Sequence, residues 1–381
     1  MKRYLTIGLA AVLAAVLAAV SCGPKAVAPR PAVPLVYSIA ADSTGAARLV
    51  RTAGSLGADG AIAIIGEPAD AILLARRFQS VDWVDNVDGD ADRDSLPDFA
   101  GETFQAIMDA NNAPYARFWK SAQGMPDSLR YLVLDSLREA AVETALFAWD
   151  STCYSTAQDL SQRLRKIPAK ILIYTSPLQA EWGLFDVDTL RQLCGGTSVI
   201  LSPMDILLEK AYGDGARRIG VWTSRDTRSS GAWETVFARK NWADASLTVI
   251  TPESALDVRT RLRSFLRQYQ AEGKPLDALL LDNYSVDPVP LQSELTMIRR
   301  AGTEEDAAFD RMLSRQFTIL DPVTTTIGYT YQFLREQYLF THKIARPAVR
   351  YYETVESGSG NPVLIETDAT YALTTYVPNL D

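Results

Sequence analysis

This chain predicts an α/β fold with parallel sheets in two lobes, on three observations. Short, almost continuously apolar runs recur along it, helical patterns separate them, and polar residues follow the end of nearly every run. Strands covered on both faces need apolar residues on both sides. Strand–helix alternation at this spacing is what parallel crossovers require.

The elements follow in chain order. Residues 1–21 predict a signal peptide: Lys2 and Arg3 precede the apolar run 5–20, with small residues before Cys22. The run is too short, and its flanks wrong, for a good membrane span. Residues 22–34 hold Pro24, Pro29, Pro31 and Pro34 and predict an extended tether of roughly 35 Å. Residues 35–165 predict a first lobe, with strands at 36–40 and 61–65, helices at 46–55 and 67–78 and an extended piece at 81–84. A helical insertion follows, clearest at 128–149, where apolar residues recur at helical spacing. Residues 166–290 predict a second lobe with strands at 171–174, 198–201, 219–222, 247–250 and 278–281. Helices at 187–193, 204–212, 232–240 and 256–270 separate them. Residues 291–381 predict a return segment, helical over 291–316 and 330–339 with a strand at 317–320. A C-terminal β-hairpin extension over 349–376 turns at Ser357-Gly358-Ser359-Gly360-Asn361.

Charge and composition exclude several classes. The net charge is −8, and loss of Lys2 and Arg3 takes it to about −10, so the chain lacks the electrostatic footprint of a nucleic-acid binder. The same sign disfavours attraction to anionic lipid, which leaves membrane attachment to an acyl group. The single histidine, His342, is read as structural and rules out a multi-histidine zinc site. Cys153 and Cys194 either pair as a disulfide or sit as small apolar residues.

Ligands of open α/β sheets bind beyond the carboxyl ends of the strands. The polar residues expected there are Asp42, Ser43, Glu67, Asp85 and Asn86 in the first series. In the second they are Thr175, Ser176, Ser202, Thr223, Ser224, Arg225, Asp226, Asp282, Asn283 and Tyr284. Each also suits a helix N-cap; their density suggests a cleft for a small polar ligand. Arg225 and Arg228 can pair with a carboxylate or phosphate, with Ser229 and Ser230 completing an anion site and Trp222 or Trp233 stacking on a ring. Asp90, Asp92, Asp94 and Asp98 alternate as oxygen ligands of calcium do. The segment resembles the aspartate-rich loops of dockerin-like and thrombospondin-type repeats, although Ser95 replaces the turn glycine. No other cofactor is expected.

Two further resemblances bear on function. Ala19-Val20-Ser21-Cys22 resembles a bacterial lipoprotein lipobox, which implies acylation of Cys22 and a place on the cell envelope. The segment Ala211-Tyr-Gly-Asp-Gly-Ala-Arg-Arg-Ile-Gly-Val-Trp222, with Leu276-Asp-Ala-Leu-Leu-Leu-Asp282 and Leu56-Gly-Ala-Asp-Gly-Ala-Ile-Ala-Ile-Ile65, resembles type I periplasmic binding proteins, the basic-membrane-protein group included. That family implies two Rossmann-like lobes clamping a ligand.

The leading expectation is therefore a lipid-anchored, non-enzymatic receptor for a small polar ligand, with a transporter or envelope protein as partner. One alternative is an envelope scaffold with the tyrosine-rich tail as its surface. The other is an enzyme working through carboxylates, such as Asp226 and Asp282 in the manner of glycosidases. A thiol version would use Cys153 and Cys194 as aspartate/glutamate racemases use two cysteines, but the Cys-Asn-Thr and Cys-Thr-His motifs of those enzymes are absent.

Overall fold

Where six successive residues carry no polar side chain, a strand buried on both faces is the stable outcome. β1, Ala61–Gly66, is such a run, and all six are buried. The computed structural model describes residues 31–42, 45–84, 96–109, 124–253 and 257–377. The leader, Cys22 and most of the expected tether lie outside these residues.

The other strands, in order, are β2 (Thr103–Met108), β3 (Thr152–Tyr154), β4 (Arg163–Arg165), β5 (Ala169–Tyr174), β6 (Val199–Leu201), β7 (Arg218–Trp222), β8 (Ser246–Ile250), β9 (Leu276–Leu281), β10 (Leu313–Leu320), β11 (Ala348–Glu356) and β12 (Pro362–Thr367). They form two sheets. The larger runs β4-β3-β12-β11-β2-β1-β5-β6 and the smaller β10-β9-β7-β8. The smaller is wholly parallel. The larger is mostly parallel, with antiparallel pairs only at β11–β12 and β3–β4. This is a two-lobed, Rossmann-like α/β protein.

Side chains alternate across each sheet, so each has two cores. Ala63, Ile65, Leu172 and Tyr174 face a helical layer that includes Pro34–Ala41, Ala46–Gly54, Asp127–Trp149 and Leu184–Leu193. Ile62, Ile64, Ile171 and Ile173 face the helices Pro68–Ser80 and Pro322–Glu336. In the smaller sheet Leu279 and Leu281 face one core, with Leu262 and Phe265, and Ala278 and Leu280 the other, with Leu207 and Trp233.

The chain leaves the larger sheet once and returns once. Ser202, after β6, caps the helix Pro203–Gly213 by accepting from Asp205 N at 3.3 Å. Asp321, after β10, caps Pro322–Glu336 by accepting from Thr324 N at 2.8 Å. These two helices pack on each other.

The sheets divide the chain differently from expectation. β5 pairs with β1 and β6 with β5, so a break near residue 166 cuts the larger sheet, and β10 carries the smaller one to residue 320. The segment 36–40 is helical, not a strand, because Pro34 opens a helix there. Residues 81–84 form no strand, and 291–316 splits into the helices Pro288–Arg299 and Glu304–Met312 and the start of β10. β2 was not anticipated in the 89–165 region. The expected hairpin is β11–β12, but β11 pairs with β2 inside the sheet.

The end of the expected tether packs on the body. Ala32 and Val33 are buried. Val33 N donates to Asp186 Oδ1 at 2.8 Å, and Arg138 donates to Pro31 O at 2.7 Å. Arg138 is itself paired with the fully buried Asp186 at 2.7 Å.

At the amino ends of β2 and β5 the ammonium of Lys170 meets the Glu102 carboxylate at 2.9 Å, both side chains buried. Lys170 also donates to Ala58 O and Leu339 O, each at 2.8 Å, and Glu102 accepts from Thr341 N at 2.8 Å. Burial raises the pKa of Glu102 and lowers that of Lys170, despite the pairing. Removing one partner strands the other charge in the core. Glu102→Gln is expected to destabilise the chain by about 3–5 kcal/mol in urea titrations, and Glu102→Leu with Lys170→Met by far less. Equal losses would show that the charges themselves hold the sheet.

Candidate active site

Strand register brings the polar tips together. Gly66 is opposite Met108 and Ile65 is opposite Tyr174, so Glu67, Asp109 and Thr175 leave the larger sheet at one edge. Trp222 is opposite Leu281, so Thr223 and Asp282 leave the smaller sheet side by side. Gly66 is required where it stands, since a Cβ there would collide with Thr175 Oγ1. The edges are joined by Tyr284, whose hydroxyl donates to Thr175 O at 3.1 Å.

Asp282 is the most elaborately held carboxylate here. Trp233 Nε1 donates to its Oδ2 at 3.0 Å, and Thr223 Oγ1 donates to the same oxygen. Trp233 reaches it because Gly231, at φ 70°, turns the short helix Arg225–Ser230 into the next, Ala232–Lys240. Burial pushes Asp282 up to about 6 against the lowering effect of both donors.

Asp70, in the first turn of the helix after β1, is pushed up to about 7, mainly by burial and then by the charges of Glu67 and Asp282. Glu67 is raised by burial and then by Asp226. Three carboxyl groups, Glu67, Asp70 and Asp282, are thus raised by burial where the two sheets meet. A group that protonates near neutrality can both take and give a proton.

Of the expected residues, Glu67, Thr175, Thr223, Asp226, Trp233, Asp282 and Tyr284 are brought together here. Ser176 is buried at the start of the helix Pro177–Trp182, and Ser202 is a helix cap. Ser224 caps Arg225–Ser230 through Thr227 N at 3.1 Å. Ser230 bonds locally to Thr227 O and Ala232 N, and Asn283 closes a turn on Ser285. Arg225 and Arg228 are exposed, so these hydroxyls do not assemble an anion pocket. Trp222 and Trp233 are core residues, which leaves neither face for stacking. Asp42 follows a helix rather than a strand and is exposed.

Ser43, Asp85, Asn86, Asp90, Asp92 and Asp94 lie outside the described residues. Asp98 accepts from the backbone amides of Trp83 and Val84 at 3.0–3.1 Å, a structural use of an expected calcium ligand. Among the described residues no group of three or more His, Cys, Asp or Glu is placed to hold a metal ion. His342 is exposed. A polar depression of about 290 Å³ lined by Asp214, Asp277 and Arg315 lies at the opposite end of the smaller sheet, but Asp277 is already committed to Arg218 at 2.9 Å.

Asp70 was missed, and its signal is its position in Gly66-Glu67-Pro68-Ala69-Asp70, one helical turn beyond a fully apolar strand. Asp109, which accepts from Thr354 Oγ1 at 2.6 Å, was missed with β2.

Cys153 and Cys194 are free and buried in one core. Burial raises both thiols, Cys153 to about 11. They form no disulfide, and neither is at the carboxylate edge.

No protein-family model matches the chain, and no curated protein matches it. Solved structures do resemble it. A glutamate racemase of Francisella tularensis with D-glutamate aligns with a TM-score of 0.49 at 12% identity, over 80% of this chain and 91% of that one. Glutamate racemase RacE1 of Bacillus anthracis gives 0.47 at 13%, over 78% and 89%. An aspartate racemase homologue of Pyrococcus horikoshii gives 0.39 at 10%, over 72% and 99%. These are likenesses of fold alone; the structures named are glutamate racemases and an aspartate racemase homologue, where the sequence had suggested a non-enzymatic, solute-binding receptor of the periplasmic type.

Two outcomes follow. Asp70 titrates near 3.9 when unfolded and about 7 when folded. Its contribution to stability is full below about 4 and lost as pH rises through about 7. Asp70→Asn should therefore match the parent in thermal melts near pH 4 and exceed it by several degrees at pH 8; parallel curves across that range would refute the shift. A disulfide-exchange reagent should modify Cys153 and Cys194 only on unfolding, and fast reaction of the native protein would place a thiol at the surface.

Proposed function

We propose that the chain is an enzyme that moves protons with carboxyl groups on a small polar substrate, isomerase-like in drawing one acid–base group from each sheet. The observation that carries this reading is the pair Asp70 and Asp282, raised by burial to about 7 and about 6, with the Asp282 charge adding to the rise at Asp70. Two carboxyl groups that both protonate near neutrality at one site can serve as an acid and a base.

Asp282, the lower of the two, is the base. Both its donors engage Oδ2, which leaves Oδ1 to face substrate. Asp70, protonated up to about pH 7, is the acid. Asp282 removes a proton from carbon on one face as Asp70 delivers its own to the other, so atoms and charge balance and configuration inverts. The carboxyls then exchange roles for the reverse reaction. Burial of the Asp282 carboxylate strengthens it as a base, because the charged form has lost water. The buried, high-pKa thiols argue against the two-cysteine version.

The test is solvent exchange. Amino acids, hydroxy acids and sugars are incubated with the full chain in D₂O, and deuterium at carbon is followed by NMR. Exchange should appear for one class with a pH optimum between about 6 and 7. Asp282→Asn and Asp70→Asn should each lower it by at least about 10²-fold. Glycoside cleavage without carbon exchange, or exchange indifferent to both changes, would defeat the proposal.

A further inference from the structure

Next to the carboxyl edge of the larger sheet lies a buried carboxamide with nothing to bond to. Gln179 is fully buried, yet neither its Nε2 nor its Oε1 meets a hydrogen-bond partner. A glutamine amide carries two donors and an oxygen with two lone pairs, and burying such a group unpaired is costly. An apolar residue of the same length would serve a core better. The other buried polar side chain of the helix, Glu181, is paired with Arg239 at 2.8 Å.

Placement makes this amide part of the site. The helix Pro177–Trp182 starts directly after Thr175 and Ser176 at the tip of β5, and Thr175 O is the atom that holds Tyr284. The helix packs on Arg225–Ser230 and Ala232–Lys240 from the other half. Ala180 shares a core with Trp233, the donor to Asp282. Gln179 stands three residues past Ser176, about 4.5 Å along the axis. Helical side chains lean back toward the amino end, which for Gln179 is the strand tip. At about 100° per residue, it faces away from Glu181 and its partner Arg239.

The charge of the surroundings narrows what the amide can bind. Among the described residues the buried cationic side chains are Arg138, Lys166 and Lys170. Arg138 is held by Asp186, Lys170 by Glu102 at the amino ends of the strands, and Lys166 by Ala148 O at 2.9 Å. Arg225 and Arg228 are exposed. An incoming carboxylate would find no buried counter-charge at this edge, and the Asp282 carboxylate would oppose it.

We infer that Gln179 is a substrate-binding residue whose carboxamide pairs edge to edge with an uncharged amide group of the substrate. Its Nε2 donates to the amide oxygen and its Oε1 accepts from the amide nitrogen, so both orphaned atoms are satisfied at once. A free carboxylate has no N–H to give and leaves Oε1 unpaired. A site built to hydrogen-bond a substrate N–H discriminates against the analogue that lacks it. The inference deepens the acid–base reading above and rests on it for the site, naming the class of molecule that enters.

The test measures binding to the full chain by saturation-transfer NMR, with lactamide against lactate and propionamide against propionate as probes. The amides should bind at least about tenfold more tightly than the acids, and Gln179→Met should erase that preference. The same change should raise the melting temperature by several degrees, because an apolar side chain of equal length replaces an orphaned amide. Gln179→Leu gives a second reading should Met pack poorly. A lower melting temperature in both variants would show an amide engaged by the fold itself and overturn the inference. Acids bound as tightly as amides, a preference that survives both changes, or no binding of either amide would overturn it too. Amide binding without deuterium exchange at carbon would uphold the role of Gln179 while defeating the acid–base reading.

Discussion

The hydrogen bond from Tyr284 to Thr175 O is the contact on which the site depends. It joins the carboxyl edge of one sheet to that of the other, so the residues that leave β1, β5, β7 and β9 share one space. Gly66 permits the approach by leaving room for Thr175. Where the edges meet, burial raises Glu67, Asp70 and Asp282, and the Asp282 charge reaches Asp70 from the other sheet. Ionisation is then set by where the strands end rather than by any single residue.

Likeness of fold does not by itself carry chemistry from one protein to another. Sheets of this kind host many reactions, and the reaction belongs to the groups at their tips. In this chain the tips carry aspartate and glutamate, while both thiols are packed among apolar side chains behind the larger sheet. Two neutral donors on one oxygen of Asp282 stabilise its charged form without bringing in a cation. The result is a base of moderate strength beside a weaker acid.

Much of this was legible in the sequence. β1, β5, β7 and β9 are runs without polar interruption, and the residues just after them were read as strand tips, Glu67, Thr175, Thr223 and Asp282 among them. β2 was illegible because Gln105 sits at its centre, fully buried and satisfied by the carbonyl of Ile167. A polar residue with an internal partner breaks the apolar pattern without breaking the strand. The segment 36–40 misled for the opposite reason: a short apolar run suits helix and strand alike, and Pro34 decides between them. Sheet membership was hidden because pairing is non-local. Nothing in 171–174 says that its neighbour is 61–66 rather than 219–222. Asp70 escaped notice because it lies inside a helix, and only the meeting of two sheets gives it a charged neighbour from the other half.

The two joints between the sheets limit how the molecule can flex. Ser202 and Asp321 are single residues, each followed by a proline that fixes one backbone torsion and each locked by its cap bond to the helix it starts. Those helices lie against each other. A clamshell motion of the halves therefore has one axis, passing near these residues, and little slack for sideways drift. Any such rotation would also have to part the helices Pro177–Trp182 and Ala232–Lys240, which pack across the same divide and carry the Arg239–Glu181 ion pair at 2.8 Å.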